Sequence, residues 1–405
     1  MCDLDFHLTS PEFITNPYPV YSLLRESSPI YYSRIWGVWV LTRFKDIVET
    51  LRDSERFSNV GRFAALLDQL PKAAQDEVGS LRRHYATGLI QSDPPDHTRL
   101  RGLVRDSFSS SVIQKIRPRV QSIVDSLIAG IHEKGQFDLI AELAYPLPMI
   151  VISELLGVPG ADRDQFLSLS QDLSGLQATG GAEADHAQRA ARAVQLIEQY
   201  FRDICAERNR KPCNDLISQM IAARDSGGKL SDDELINMCV TFLFAGHETT
   251  KNLIGNSVWT LINHPSELEE LKRDASLIPG AVEEFLRYES PIQRGWRRVT
   301  QDINLDGRRI REGELVFLML GSANRDPDQF AEPDRLNIRR TENRHVAFGY
   351  GIHFCIGASL ARLEAMIAID TLIRRLHNLR LVEPIIWNES IHLRGPKVLH
   401  VAFDS

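Results

Sequence analysis

The sequence predicts a mainly helical α+β fold: one helix-rich domain over residues 1–405, with a long central helix and small β-sheets. Three observations point there. Strand signals gather near the two ends of the chain, helical periodicity fills the middle, and one capped apolar pattern runs unbroken for about 30 residues.

Near the start, segments 29–33 and 36–42 read as strands on either side of a turn at Arg34 and Ile35. Phe44, Ile47, Val48 and Leu51 then fall at helical spacing and predict a short amphipathic helix. Residues 58–92, rich in small and charged side chains, read as irregular. Val112, Ile116, Val120, Val124, Leu127, Ile128 and Ile131 mark one face of a single long helix, and segments 140–157, 162–174, 187–209 and 214–225 read as further helices. Ser231 and Glu234 form a capping box, each satisfying the other's backbone donor. From there the pattern continues to Asn263-His264-Pro265, where proline stops it. That helix is about 45 Å long, enough to cross a domain. Strands follow at 299–305 and 315–320 with an Asp306-Gly307 hairpin turn between them, then a helix over 357–376 and strands at 379–382 and 398–403. The predicted order is a small sheet, many helices, then a second small sheet.

Composition bounds the function. Of 405 residues, 43% are hydrophobic and 25% charged, as in a core-forming globular chain. The net charge of −7 argues against nucleic-acid binding, which needs a basic excess. The first thirty residues are mixed and polar, no run is long and apolar enough to be a membrane anchor, and the longest apolar stretches suit buried strands. A cytoplasmic, soluble protein is expected. The five cysteines (Cys2, Cys205, Cys213, Cys239 and Cys355) form no CxxC pair and suggest no disulfide framework.

One cysteine has unusual neighbours. Residues 348–357 read Phe348-Gly-Tyr-Gly351-Ile-His353-Phe-Cys355-Ile-Gly357, just before a strongly helical run. A cysteine there sits at the positive end of the helix dipole, which favours thiolate. The glycines let backbone N–H groups come close to the sulfur. Taken alone, the segment also fits a buried structural cysteine in a glycine-containing turn.

The segment resembles the haem-ligand signature of the cytochrome P-450 family, Phe-x-x-Gly-x-x-x-Cys-x-Gly, at every fixed position. Further matches follow the family's order. Ala245-Gly-His-Glu248-Thr249-Thr250, mid-way along the long helix, resembles the oxygen-activation motif. Glu284-Phe-Leu-Arg287 and Pro333-Asp-Arg335-Leu336 resemble the Glu-x-x-Arg motif and its partner loop. His97-Thr-Arg-Leu-Arg101 resembles the bacterial helix segment that holds haem propionates. Asn16-Pro-Tyr-Pro19 and Asn324-Arg-Asp-Pro327 extend the likeness over nearly the whole chain.

The resemblance implies a haem-thiolate monooxygenase with haem b, iron bound by Cys355, O2 as co-substrate, and hydroxylation or epoxidation of a small-molecule substrate. Thr249 could bond the Ala245 carbonyl one turn back. The family's mechanism instead frees this hydroxyl in a turn widened by Ala245 and Gly246, and Glu248 delivers protons. His247 is assigned no role. His97 and Arg101, at i,i+4, share a helix face suited to propionates, joined by His353 and by Arg297, with Arg298 as the alternative register. Glu284, Arg287 and Arg335 form a structural network behind the cysteine loop. The substrate pocket is expected at Leu89, Ile90, Thr241, Phe242, Ala245, Ile292, Gln293, Ile391 and His392, largely apolar with a few polar handles. Arg294 could pair with an acidic substrate or be structural.

Electrons are expected from NAD(P)H through a separate ferredoxin and ferredoxin reductase, docking on a basic patch at Arg362, Arg344 and Arg99 or Arg105. Two alternatives stay open: an atypical oxidation such as phenol coupling, desaturation or nitration, and a non-catalytic haem sensor or carrier or a peroxide-isomerising enzyme. The intact Glu248-Thr249 pair counts against the second class, because binding needs no proton-delivery apparatus.

Overall fold

In the computed structural model, residues 5, 8, 10–176, 178, 183–225 and 230–404 are described, so Cys2 lies outside the described residues. Helices dominate and the sheets are small, as the periodicity predicts. The two ends of the chain, however, do not form two separate sheets. Strands Ile30–Ser33 and Val38–Leu41 join Leu315–Leu318, Gly295–Val299 and Phe57–Ser58 in one five-stranded sheet. The seam is parallel: Trp39 lies opposite Val316, Val40 opposite Phe317 and Leu41 opposite Leu318. All four residues of Leu315–Leu318 are buried. A strand covered on both faces needs partners on both edges, which the apolar run alone could not name.

The Asp306-Gly307 turn pairs Ile303–Leu305 with Arg308–Ile310, an independent hairpin, and the residues before Ile303 bend away at Thr300 to leave Gly295–Val299 for the main sheet. The last sheet pairs Gln136–Asp138 and His377–Leu381 with His400–Asp404.

The long helix spans Asp232–Ile262 and begins with the expected capping box, Ser231 accepting from Glu234 N–H while Glu234 accepts from Ser231 N–H. Residues are buried around nearly its whole circumference, which makes it a beam inside the molecule rather than a surface helix. The predicted helix over 112–131 is two, Ser110–Lys115 and Arg117–Ile131, because Pro118 starts a new first turn. Segment 140–157 likewise divides into a π-turn at Ile140–Ala144 and a helix at Pro146–Leu156, the latter packed on the long helix. Residues 58–92 are not irregular. Short helices Arg62–Leu67, Lys72–Glu77 and Gly79–His84 fold there, with Phe63, Leu66, Leu67, Val78 and Leu81 buried in the main core. Among the described residues, no helix is long and apolar enough to cross a membrane.

Candidate active site

An apolar cavity of about 380 Å³ lies where the long helix, the loop before helix Ala358–Arg375 and the helix Asp96–Val104 converge. Cys355, Thr249 and Glu248 all line it. The cysteine loop is shaped by its backbone. Cys355 N–H donates to Phe348 O at 2.9 Å, and Gly351, at φ +71°, approaches Leu51 so closely that a Cβ would sit 2.5 Å from its carbonyl oxygen. Cys355 is exposed and lines the cavity. Burial pushes its thiol up, while Gly357 N–H, Arg101 and Arg362 act the other way. The other described cysteines, Cys205, Cys213 and Cys239, are free thiols away from this wall.

The long helix runs unbroken through residues 245–250, and Thr249 Oγ1 donates to Ala245 O at 3.0 Å. The widened turn expected at Ala245 and Gly246 is therefore absent. Gly246 serves packing instead: a Cβ there would meet Ile152 Cγ1 at 2.7 Å. Glu248 is buried and accepts from Lys251 Nζ at 2.7 Å. Burial opposes its charge, but Lys251 and the His247 ring outweigh this and hold its carboxyl down to about 2.

His97, Arg101, Arg297 and His353 line one part of the cavity. The two imidazoles lie 4.2 Å apart, and Arg101 donates to Phe354 O at 2.8 Å. Arg297, not the alternative Arg298, lines the cavity. No motif or spacing points to Arg62, which lines the same wall, buried, and donates to Trp296 O at 3.2 Å. Burial pushes Arg62 down to about 9 and Arg297 to about 10, and burial drives His353 to about 4 despite the nearby Asp93.

Of the expected substrate residues, all but Gln293 and Ile391 line the cavity. Gln293 is tied into the core, accepting from Tyr21 hydroxyl at 3.1 Å and donating to Ser290 O at 2.8 Å. Ile391 faces a neighbouring cleft. Arg294 lines the cavity with its guanidinium 4.0 Å from the centre of the Phe317 ring.

Glu284 and Arg287 are fully buried and joined by two hydrogen bonds of 2.8 Å. Arg287 also donates to the carbonyls of Asn324 and Pro333 at 2.9 and 2.7 Å. Arg335 differs from expectation: its carbonyl reaches Arg287 at 3.3 Å, but its side chain is exposed and paired with Glu332. The guanidinium that completes the network is Arg340, at 3.1 Å from Glu284, helped by Asn343. Arg362 is also engaged, gripping Glu283 at 2.6 and 2.8 Å and stacking on Phe348.

The Cytochrome P-450 family profile matches residues 62–384. The chain is a member of the cytochrome P-450 family. Relatives include the polyketide biosynthesis cytochrome P-450 PksS of Bacillus subtilis, 35% identical with 98% of both chains covered. The vitamin D(3) 25-hydroxylase of Pseudonocardia autotrophica is 40% identical over 96% of this chain and 94% of that one. Among solved structures, the myxobacterial cytochrome P-450 CYP267B1 in complex with myristic acid superposes with a TM-score of 0.89, at 38% identity, over 98% of this chain and 99% of the other. This P-450 is thus an oxidoreductase, and its family implies haem iron and the use of O2.

The residues present fit that group. His97 Nε2 and His353 Nε2 are buried without a hydrogen-bond partner among the described residues. Together with Arg62, Arg101 and Arg297 they form a crowd of cationic and imidazole groups that an anion would relieve. Two propionates supply such anions, and a thiolate at Cys355 needs a cation beside it, which ferric iron supplies.

Proposed function

We propose that residues 1–405 form one haem domain that inserts one oxygen atom from O2 into a largely apolar organic substrate, by hydroxylation or epoxidation. The observation that carries this is the convergence of Cys355, Glu248 and Thr249 on one apolar cavity edged by His97, Arg101, Arg297 and His353. Cys355 holds haem b through its sulfur, and those four residues, with Arg62, hold the propionates. When bound, the haem supplies O2 activation, which thiolate ligation favours by pushing electron density onto iron.

The chain's own residues do the rest. Leu89, Ile90, Phe242 and Ile292 exclude water and orient an apolar body, and Thr241 and His392 offer polar handles. Glu248 relays protons, and the Thr249 hydroxyl, turning from the Ala245 carbonyl, passes them on within the cavity. The network of Glu284, Arg287 and Arg340 fixes the chain that leads into the cysteine loop. Relatives named for polyketide biosynthesis and for vitamin D(3) hydroxylation support a place in secondary metabolism and an apolar substrate. Electrons come from NAD(P)H through a separate ferredoxin and its reductase, in the cytoplasm.

The test is spectroscopic. Cys355→Ser should abolish the thiolate signature of the reduced carbon monoxide complex, while Cys205→Ser, Cys213→Ser and Cys239→Ser keep it. Retention of that signature in Cys355→Ser overturns the assignment.

A further inference from the structure

Glu248 belongs to two cavities. Besides the apolar cavity shared with Thr249, it lines a wider cleft of about 1430 Å³, with Tyr145, Asp164 and Lys251 also on its walls. This cleft reaches solvent past Ile35 and Leu167, both exposed. Near the shared carboxylate, three buried polar atoms have no hydrogen-bond partner among the described residues: Tyr145 hydroxyl, His247 Nε2 and Glu248 Oε1.

Their arrangement constrains where protons lie. His247 Nδ1 is 2.7 Å from the carbonyl oxygen of Leu243, which can only accept, so Nδ1 carries a hydrogen. In a neutral ring, Nε2 is then a bare acceptor, and it lies 3.5 Å from Glu248 Oε1, an acceptor as well. Two lone pairs facing each other in a buried place repel. A proton must lie between them, either on Nε2 itself or on a water molecule that donates to one or both. The Tyr145 ring meets the His247 ring edge-on, with centroids 5.8 Å apart. Three unsatisfied polar atoms beside a solvent-reaching cleft make a setting in which ordered water sits. Lys251 meanwhile occupies the other carboxylate oxygen, Oε2, and leaves Oε1 for exchange.

We infer that His247 and Tyr145 line a water-filled proton entry from the cleft to Glu248 Oε1, with His247 as the positioning residue that keeps a proton poised against that oxygen. The inference rests on the monooxygenase reading, because it assigns the supply side of the same acid. Oε1 of the carboxylate, charged beside Lys251, takes a proton from the His247 side and passes it toward Thr249, and the carboxylate ends charged again. The His247 side regains a proton from bulk water through the cleft. The relay moves no electron and consumes only solvent protons.

The experiment uses the haem-loaded enzyme, first checked by its reduced carbon monoxide spectrum in wild type, His247→Leu, His247→Gln and Tyr145→Phe. Loss of the thiolate signature already in wild type condemns the underlying reading rather than this one. With that signature intact, NADPH-driven oxygen consumption through surrogate ferredoxin and reductase should fall about 10-fold in His247→Leu, within the span of a lost acid–base partner. Its solvent deuterium isotope effect should rise, and His247→Gln, which retains a donor, should recover part of the rate. Tyr145→Phe should show a smaller change of the same kind. Guaiacol oxidation driven by hydrogen peroxide, which brings its own protons, should be equal in all four proteins. A crystal structure of the holoenzyme should show water within hydrogen-bond reach of Oε1 and continuous with the cleft. A dry junction, unchanged rate and isotope effect in His247→Leu, or equal losses in the peroxide-driven reaction would each overturn the inference.

Discussion

Thr249 and Glu248 are neighbours on one helix, yet their side chains are held by different forces. The threonine hydroxyl makes one hydrogen bond among the described residues, to Ala245 O, and faces the cavity. Removing its hydroxyl costs the fold little, so Thr249→Ala should load haem normally while product formed per NADPH falls and peroxide rises. Unchanged coupling would take Thr249 out of the mechanism. Glu248 is fixed by charge. Its folded carboxyl stands at about 2 against an ordinary value of 4.5, so the native state binds fewer protons than the unfolded chain below pH 4.5. The stabilisation from this carboxylate is present above about 4.5 and is lost as pH falls toward 2. Urea unfolding of wild type and Glu248→Gln between pH 6 and pH 3 should therefore show their stability difference shrinking with acid. A constant difference would mean that the Lys251 pair does not hold the charge.

At the scale of elements, the long helix and the cysteine loop depend on close approaches. Gly246 lets the helix lie against Ile152, so Gly246→Ala should destabilise by about 1–3 kcal/mol, and Ile152→Ala in the same chain should relieve the loss. Additive losses in that double-mutant cycle would show no contact. Glu284→Ala would leave Arg287 and Arg340 buried near each other without their shared carboxylate, at a cost of roughly 3–5 kcal/mol in thermal or urea unfolding. The elements also show what a sequence can express. The capping box was legible because Ser231 and Glu234 satisfy each other within one turn, whereas Arg297 was reached only through the family resemblance, with Arg298 left as the alternative register. Helix Arg62–Leu67 was not legible, since Gly61 precedes it at φ +72° and its apolar residues answer to tertiary neighbours such as Trp296 rather than to a helical period. Arg340 was hidden for the same reason. Its partner Glu284 is 56 residues away, and Arg335 matched the motif by position while contributing only a carbonyl. Gln293 lay in the expected pocket segment, but Tyr21, far off in sequence, draws it into the core.

For the molecule as a whole, the excess of acid over base bears on electron supply. A ferredoxin, typically acidic itself, needs a local basic patch on this chain of net charge −7. Arg362 is already committed to Glu283 and Phe348, and Arg99 to Asp96 and Glu234, whereas Arg344 is exposed and Arg105, among the described residues, pairs only with the exposed Asp106. Arg344→Glu should therefore slow the first electron transfer with little effect on substrate affinity, and rising salt should slow the wild type, because exposed charges are screened beyond about 8–10 Å. Arg362→Glu should chiefly destabilise the protein by facing Glu283 with a like charge. Stopped-flow reduction by a ferredoxin across a salt series decides between these residues. A salt-independent rate, equal in wild type and Arg344→Glu, would place docking elsewhere.

The parallel seam between Val38–Leu41 and Leu315–Leu318 has a further consequence for how the protein is made. During synthesis the first hairpin emerges long before its partner exists. At about 5–20 residues per second, its apolar edge waits roughly 15–55 s for Val316 to leave the ribosome. Val38, Val40 and Leu41, fully buried in the finished sheet, are open to other chains for that interval. A nascent chain stalled before residue 315 should be cleaved by protease near the first hairpin, and the finished chain should not. In the living cell this N-terminal edge is where a chaperone has the longest opportunity to bind.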